Sequence, residues 1–410
     1  IHTIITLAVS LASANAQISG EIKPNVSDVS VSKNAGYDLI KLSGANHVTN
    51  QVGMPELPVI SKTFVIPTDA QITNIEIKEN RKTELQGTFR PYPVQPPVTT
   101  GGTNQNFIEP FDTINNGAST YPAKRAEIVA DYINMGYHLV TIWTYPIEFD
   151  PISKKIFISG FNFTINYETK AQTRTKPLAQ SAYRASMIKK MIKSMVDNPN
   201  DVERYSNDVA RKAMASKSAT SGSTLPSIRD DMEYQIPDYI IITNDSLRPV
   251  FNNLATWKIE KGVTTITKDI AEIEEEYTGS DLPEKIHAYL QDCYHKWGEG
   301  LFVLLGGDTE IIPSRMYIRN KQKYPSDAYS ADLECDWNAN KNHIYAESST
   351  DGVNLDRFCF IGRAPISNRE EAQTFAEKVL NYERLDTAQI NPNYVLNHLA
   401  ALAYINVSSI

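Results

Sequence analysis

The chain has 410 residues, more than one hydrophobic core usually serves, so two or three domains are expected and a single small module is excluded. With 41% hydrophobic and 21% charged residues, the composition argues against wholesale disorder and against a polytopic membrane protein. Forty Lys and Arg against 48 Asp and Glu give a formal net charge of −8, which argues against a broad phosphate-binding surface and so against nucleic acid as a partner; 21 Tyr and 22 Pro beside 3 Cys favour a β-rich part independent of disulfides.

In chain order, an apolar run from Ile4 to Ala12 closes on Ala14-Asn15-Ala16 before Gln17. That is the h-region and A-x-A cleavage pattern of a secretory signal peptide without its basic n-region and initiator Met. Residues 1–16 are therefore expected to be a truncated signal peptide of an exported protein. The alternative for Ile4 to Ala12 is a buried strand. The run falls short of the roughly 20 apolar residues of a membrane-spanning helix, and no other segment comes closer, so no integral membrane segment is expected.

Residues 17–170 read as a β-rich domain. Ile75 and Ile77 alternate with Asn74 and Glu76, and Phe161, Phe163, Ile165 and Tyr167 alternate with Asn162, Thr164 and Asn166. Period two means strands with one buried and one wet face. Proline lacks the ladder donor, so Gly53-Met54-Pro55-Glu56-Leu57-Pro58 and Pro91-Tyr92-Pro93-Val94-Gln95-Pro96-Pro97 mark edges and turns, as in a sandwich of short strands. Asp150-Pro151 with Lys154-Lys155 reads as a hairpin turn between Tyr145 to Phe149 and Ile156 to Tyr167.

Residues 171–233 read as a helical segment and flexible linker. Met187, Ile188, Met191, Ile192, Met195 and Val196 fall at helical spacing, with Lys189, Lys190 and Lys193 opposite, and Arg211 to Ile228 is Ala/Ser/Gly-rich without apolar periodicity.

Residues 234–410 change class. Tyr239 to Thr243, Val263 to Ile266, Leu301 to Leu305 and Phe358 to Ile361 are continuous apolar strands. Between them lie a helix from Leu247 to Lys261 and one opened by Ser280-Asp281-Leu282-Pro283-Glu284, with Leu282, Ile286, Leu290, Cys293 and Trp297 on its inward face. A last helix, capped by Ser367 with Glu370 in its first turn, turns Phe375, Val379 and Tyr382 inward. Strands alternating with helices predict a mainly parallel sheet covered on both faces. The fold class is thus α+β multidomain, a β-rich sandwich-like domain followed by an α/β domain. His398 to Ile410 is an apolar run without turn or cap, so the chain reads as a fragment at that end too.

Ligands gather at the carboxyl ends of parallel strands, where Asp308 follows Gly306 and Gly307. Downstream lie Asp327, Asp332, Glu334, Asp336, Asn338, Asp351 and Asp356. Hard oxygens in a loop suit Ca²⁺, and Asp332, Glu334, Asp336 and Asn338 resemble the first half of an EF-hand loop. Trp337 then stands where Gly is required and no Glu stands at the twelfth position, so that register is not an EF-hand. A structural Ca²⁺ site is expected to use Asp308 and part of this cluster; the alternative is a solvated acidic loop. Cys293 and Cys359 read as packing residues, and Glu334 and Asp336 oppose a thiolate at Cys335. His287 and His295 read as lying on the polar side of their helix, and no Cys and His pair is visible.

Tyr239-Ile240-Ile241-Ile242-Thr243, Trp257-Lys258 with Lys261-Gly262, Leu304-Leu305-Gly306-Gly307-Asp308 with Ile312-Pro313, Ser326-Asp327-Ala328-Tyr329 with Asp336-Trp337-Asn338, and Ile361-Gly362-Arg363-Ala364-Pro365 together resemble the gingipain family of cysteine peptidases. Gly53 to Val59, Pro93 to Pro97 and Tyr145-Pro146-Ile147 resemble that family's β-rich propeptide. The resemblance implies a secreted or cell-surface bacterial zymogen whose propeptide packs against a caspase-like peptidase domain. Residues 234–410 would be the first, non-catalytic subdomain, truncated at its end, with the catalytic Cys and His beyond this sequence. It also implies calcium, supporting Asp308 and then Asp327, Asp332, Asp336 and Asp356. The expected function is a cysteine endopeptidase precursor acting on protein or peptide substrates. The alternative is a secreted surface or adhesion protein with an inactive peptidase-like scaffold.

Overall fold

The computed structural model describes residues 16–96, 106–110, 120–169, 181–205, 236–319, 322–347, 350–353 and 358–384. The signal-like run, Arg211 to Ile228, Asp356 and His398 to Ile410 lie outside them. The β-rich half contributes β1 (Ala16–Ile22), β2 (Val29–Asn34), β3 (Tyr37–Leu42), β4 (His47–Val48), β5 (Pro58–Ile66), β6 (Ala70–Leu85), β7 (Ala126–Asn134), β8 (Tyr137–Thr144), β9 (Ile147–Asp150) and β10 (Lys155–Thr169). One antiparallel sheet runs β1-β10-β6 with β9 also on β10; another runs β4-β5-β8-β7; β2 and β3 form a separate hairpin. The period-two reading of β10 holds: Phe161, Phe163, Ile165 and Tyr167 are buried, and they share a core with Phe64 and Ile66 of β5 and Val140 and Ile142 of β8. Side chains of two sheets thus fill one core. The Asp150 hairpin forms as expected, with the Asp150 carboxylate accepting from the Ile152 and Ser153 amides.

Next come α1 (Ala182–Met195) and α2 (Asp201–Arg204). Ile188 and Ile192 of α1 pack on Val65, Met135, Tyr137 and Leu139, whereas Met187 and Met195 are exposed, so the buried stripe is narrower than the sequence suggests. Asn198 completes the docking: its side-chain amide accepts from Val65 N and donates to Val65 O, both at 2.9 Å, pairing with the edge of β5 as a strand would.

The α/β half contains β11 (Tyr239–Thr243), α3 (Arg248–Glu260), β12 (Thr265–Asp269), α4 (Ile270–Glu276), α5 (Leu282–Trp297), β13 (Leu301–Gly306), β14 (Arg315–Arg319), β15 (Gln322–Ser326), α6 (Ala328–Ala331), β16 (Cys359–Ala364) and α7 (Arg369–Arg384). The sheet order is β12-β11-β13-β16 and every pairing is parallel, consistent with a caspase-like domain. Ile240, Ile242, Val303 and Leu305 meet Ile286, Leu290 and Cys293 of α5 on one face. Ile241 and Leu304 meet Phe251 and Leu254 of α3 and Ala372 and Ala376 of α7 on the other. Strands buried on both faces explain their unbroken apolar sequences.

Several boundaries differ from the sequence reading for local reasons. β12 starts at Thr265 because Gly262, at φ 82°, ends α3 and leaves Val263 N donating to Lys258 O. The short α4 follows because Asp269 caps it, accepting from Ala271 N. The last helix is capped by Asn368, which accepts from Glu371 N at 3.0 Å, while Glu371 reaches back to Ser367; Tyr382 is exposed.

One buried guanidinium joins the halves. Arg184 of α1 is 0% exposed and donates to the carbonyls of Trp297, Gly298 and Glu299 at 2.5, 3.2 and 2.8 Å. These lie at the C-terminal end of α5, where the helix dipole favours a cation. Arg184 Nε lies 3.6 Å from Asp238 Oδ1; Asp238 also accepts from Thr264 N and from Ser181, the residue that caps α1. Burial pulls the Arg184 pKa down to about 10, against the pull of Asp238, so it stays charged at neutral pH. Arg184→Met should lower the unfolding free energy in urea by about 3–5 kcal/mol, since it leaves Asp238 buried and uncompensated. Adding Asp238→Asn should restore part of that loss; no recovery would mean that the carbonyl contacts, not the ion pair, carry the effect.

Candidate functional site

The expected ligand end of the sheet forms where β13 stops. A Cβ on Gly306 would sit 2.6 Å from the Phe251 ring, and one on Gly307 would sit 2.7 Å from Ile311, so both glycines are required by close approach. Asp308 follows, half-buried; its carboxylate accepts from Glu310 N and Ile311 N at 3.0 and 3.1 Å and so shapes the turn out of the strand.

Arg363 of β16 organises this end. Its guanidinium donates to the carbonyls of Gly307, Asp308 and Ile312 and makes a two-point contact with Asp327, at 2.8 and 2.7 Å. Ser314 donates to the same Asp327 carboxylate. Burial works against ionisation of Asp327, but the Arg363 and Ser314 hydrogen bonds hold its carboxyl below the usual range. Asp327 therefore serves as the counter-ion of Arg363.

Asp332 is buried and accepts from Trp337 Nε1 at 2.8 Å, within a cluster of Trp337, Tyr329 and Tyr345. Asp336 is exposed and accepts from Asn338 N. Asp308 and Asp327 are thus linked through Arg363, and Asp332 and Asp336 flank Trp337. Among the described residues no three His, Cys, Asp or Glu side chains form a group that could hold a metal ion.

A different register of the loop emerges from the backbone. Counting from Asp336, Asn338, Asn340, Lys341, Asn342 and Glu347 occupy positions three, five, six, seven and twelve of an EF-hand loop, with Lys where Gly is the rule. Lys341 is left-handed, φ 57°, as the sixth position demands. The Asn340 and Asn342 amides both donate to Glu347 Oε2, at 3.0 and 2.6 Å, and Asn338 Oδ1 accepts from His343 N. Residue types and spacing fit calcium. In the geometry seen, amide nitrogens rather than oxygens meet Glu347. A window starting at Asp336 instead of Asp332 would have exposed Asn340, Asn342 and Glu347 in the sequence.

Cys293 and Cys359 are buried, and burial pushes both thiols up to about 12, as expected of packing residues. His287 departs from expectation. It is 5% exposed, not on a polar face, because the segment carrying α6 folds over α5 and sets the Tyr329 ring 4.5 Å from the imidazole.

No curated protein matches the sequence. Among solved structures, the complex of the pro- and mature domains of RgpB from Porphyromonas gingivalis is similar at 10% identity and a TM-score of 0.34, over 46% of this chain and 95% of that one. The structure addressing zymogenic latency of gingipain K from the same organism is similar at 14% identity and a TM-score of 0.31, over 40% and 98%. Dimeric latent PorU, also from Porphyromonas gingivalis, is similar at 12% identity and a TM-score of 0.30; the match covers 92% of this chain and 39% of PorU. The family model of peptidase family C25 matches residues 233–403, the segment that carries the ordered motifs from Tyr239 to Pro365, so this segment resembles the gingipain family.

Proposed function

We propose that this chain is the precursor part of a secreted bacterial cysteine endopeptidase that acts on protein substrates through a Cys/His dyad outside the 410 residues. In this reading residues 17–170 are a sandwich-like propeptide, 171–233 a helical segment and linker, and 234–410 the first caspase-like subdomain. The observation that carries it is the family match over 233–403, on a segment in which β11, β12, β13 and β16 form a parallel sheet. The Arg184 clamp supports a propeptide that packs against the peptidase domain. Secretion rests on the signal-like run ending at Ala16, and among the described residues no helix is long and apolar enough to cross a membrane.

The described cysteines support a dyad located elsewhere, since Cys293 and Cys359 have raised thiols and Cys335 stands between Glu334 and Asp336. The purified chain should therefore not hydrolyse peptide or casein substrates; hydrolysis blocked by iodoacetamide would place the nucleophile inside it. Zymogen processing is proposed between Arg211 and Arg229, and limited trypsin digestion that leaves this stretch intact while cutting elsewhere would count against it.

Calcium belongs to the same proposal. Asp327 is committed to Arg363, so the loop from Asp336 to Glu347 is the better candidate, with Asp308, Asp332 and Asp356 as further oxygen sources. Calcium at about 1 mM should raise the melting temperature and chelator should reverse the rise; no shift would remove the ion from the reading. Lys341→Gly should stabilise the loop by about 1 kcal/mol by relieving the left-handed backbone, and should enlarge the calcium response.

A further inference from the structure

A cleft of about 510 Å³ opens beside α5, between Thr278, Gly279 and Glu284 on one side and Glu334, Asp336 and Trp337 on the other. That volume falls within the range of small-molecule sites. His287 lines it, 5% exposed, and neither ring nitrogen has a hydrogen-bond partner. A buried imidazole with an unused donor and an unused acceptor carries a desolvation cost, and a bound hydrogen-bond donor would relieve the acceptor's share of it.

The lining selects the sign of that group. Glu284, Glu334 and Asp336 border the cleft, and among the described residues no Lys or Arg does. Glu284 accepts from the Ser280 amide and hydroxyl, and Glu334 Oε1 accepts from the Tyr294 hydroxyl, so hydrogen bonds hold both side chains in place beside the cleft. Arg315 stacks on Tyr329 and Tyr345, but both oxygens of Asp281 pair with it at 2.7 and 2.8 Å. Burial, then the Arg315 charge, lowers the His287 pKa to about 4, so the imidazole is neutral at physiological pH and can accept from a cation without repelling it. A bare metal ion is disfavoured, since no three His, Cys, Asp or Glu side chains among the described residues form a group to hold one. The planar walls of Trp337 and Tyr345 suit an organic group.

We infer that this cleft binds an organic cation, an ammonium or guanidinium whose N–H groups are shared between His287 and the Glu334 and Asp336 carboxylates. The site does not depend on the peptidase reading, but it shares Asp336 with the proposed calcium loop, so the titration is run in chelator. The ligand can come from a basic side chain of a peptide or from a free amine, and the test distinguishes them. Calorimetric titration of the full chain in chelator would use Nα-acetyl-arginine amide, putrescine and the neutral isostere Nα-acetyl-citrulline amide. Saturable binding of at least one cation, with the citrulline compound weaker by about tenfold or more, is expected. The tighter cation assigns the source. Glu334→Gln, which keeps an acceptor for Tyr294, should weaken the cation by about tenfold without changing the melting temperature. Cys335, which also lines the cleft, should be alkylated by iodoacetamide more slowly with the cation bound, whereas Cys293 and Cys359 are buried. Failure of both cations to bind, equal binding of the neutral isostere, or no effect of Glu334→Gln would overturn the site.

Discussion

The buried Arg184 guanidinium is the constraint on which the arrangement of the two halves depends. A fully buried cation is tolerated only where opposite charge and acceptors surround it. Its acceptors come from the end of α5 and from Asp238 at the start of β11, while its own helix is packed on β5 and β8. Satisfying one side chain therefore fixes α1 against both halves at once. The apolar contacts agree with this placement: Ile188 packs over Gly300, where a Cβ would sit 2.6 Å from Ile188 Cδ1, and Phe360 of β16 joins the cluster around Ile192.

Arg363 repeats the device at the other end of the sheet. It gathers three carbonyls that the β13 turn leaves without a strand partner, and it takes its counter-charge from Asp327 on the following hairpin. An arginine is needed in both places because only a planar fork of donors can meet several carbonyls and a carboxylate together. A lysine would keep the charge and lose the geometry. The Gly-Arg and Ser-Asp motifs, distant in sequence, are thus two ends of one ion pair, which explains why each is uninformative alone.

Strand character was legible because period two on β10 and unbroken apolar runs in β11 and β13 follow directly from one-sided and two-sided burial. The α5 start was legible for an equally local reason, the Asp281 cap accepting from Glu284 N. What stayed hidden depends on tertiary contact. His287 reads as polar by spacing and is buried only because α6 closes over it. Asp327 reads as a free carboxylate in an acidic run and is consumed by Arg363, some 36 positions away. The one-residue shift of the α7 cap reflects two adjacent residues, Ser367 and Asn368, that both satisfy the cap's residue preference.

The loop from Asp336 to Glu347 combines calcium-type spacing with a dense set of internal hydrogen bonds. Loops of that spacing draw several oxygens toward one point and need a cation to offset their mutual repulsion. Here positions three and five are Asn, so ligand charge is removed, and the amides at positions five and seven are placed next to Glu347. Asp351 accepts from Ala339 N and Glu347 N, closing the loop from outside. The left-handed Lys341 is retained although Gly would adopt that backbone at lower cost, which means the surrounding hydrogen bonds, rather than residue preference, set the turn. Asp336, which opens that loop, and Glu334 just before it line the neighbouring cleft together with His287. Asp336 thus stands at the junction of the two features, accepting from Asn338 N within the loop and lining the cleft beside it.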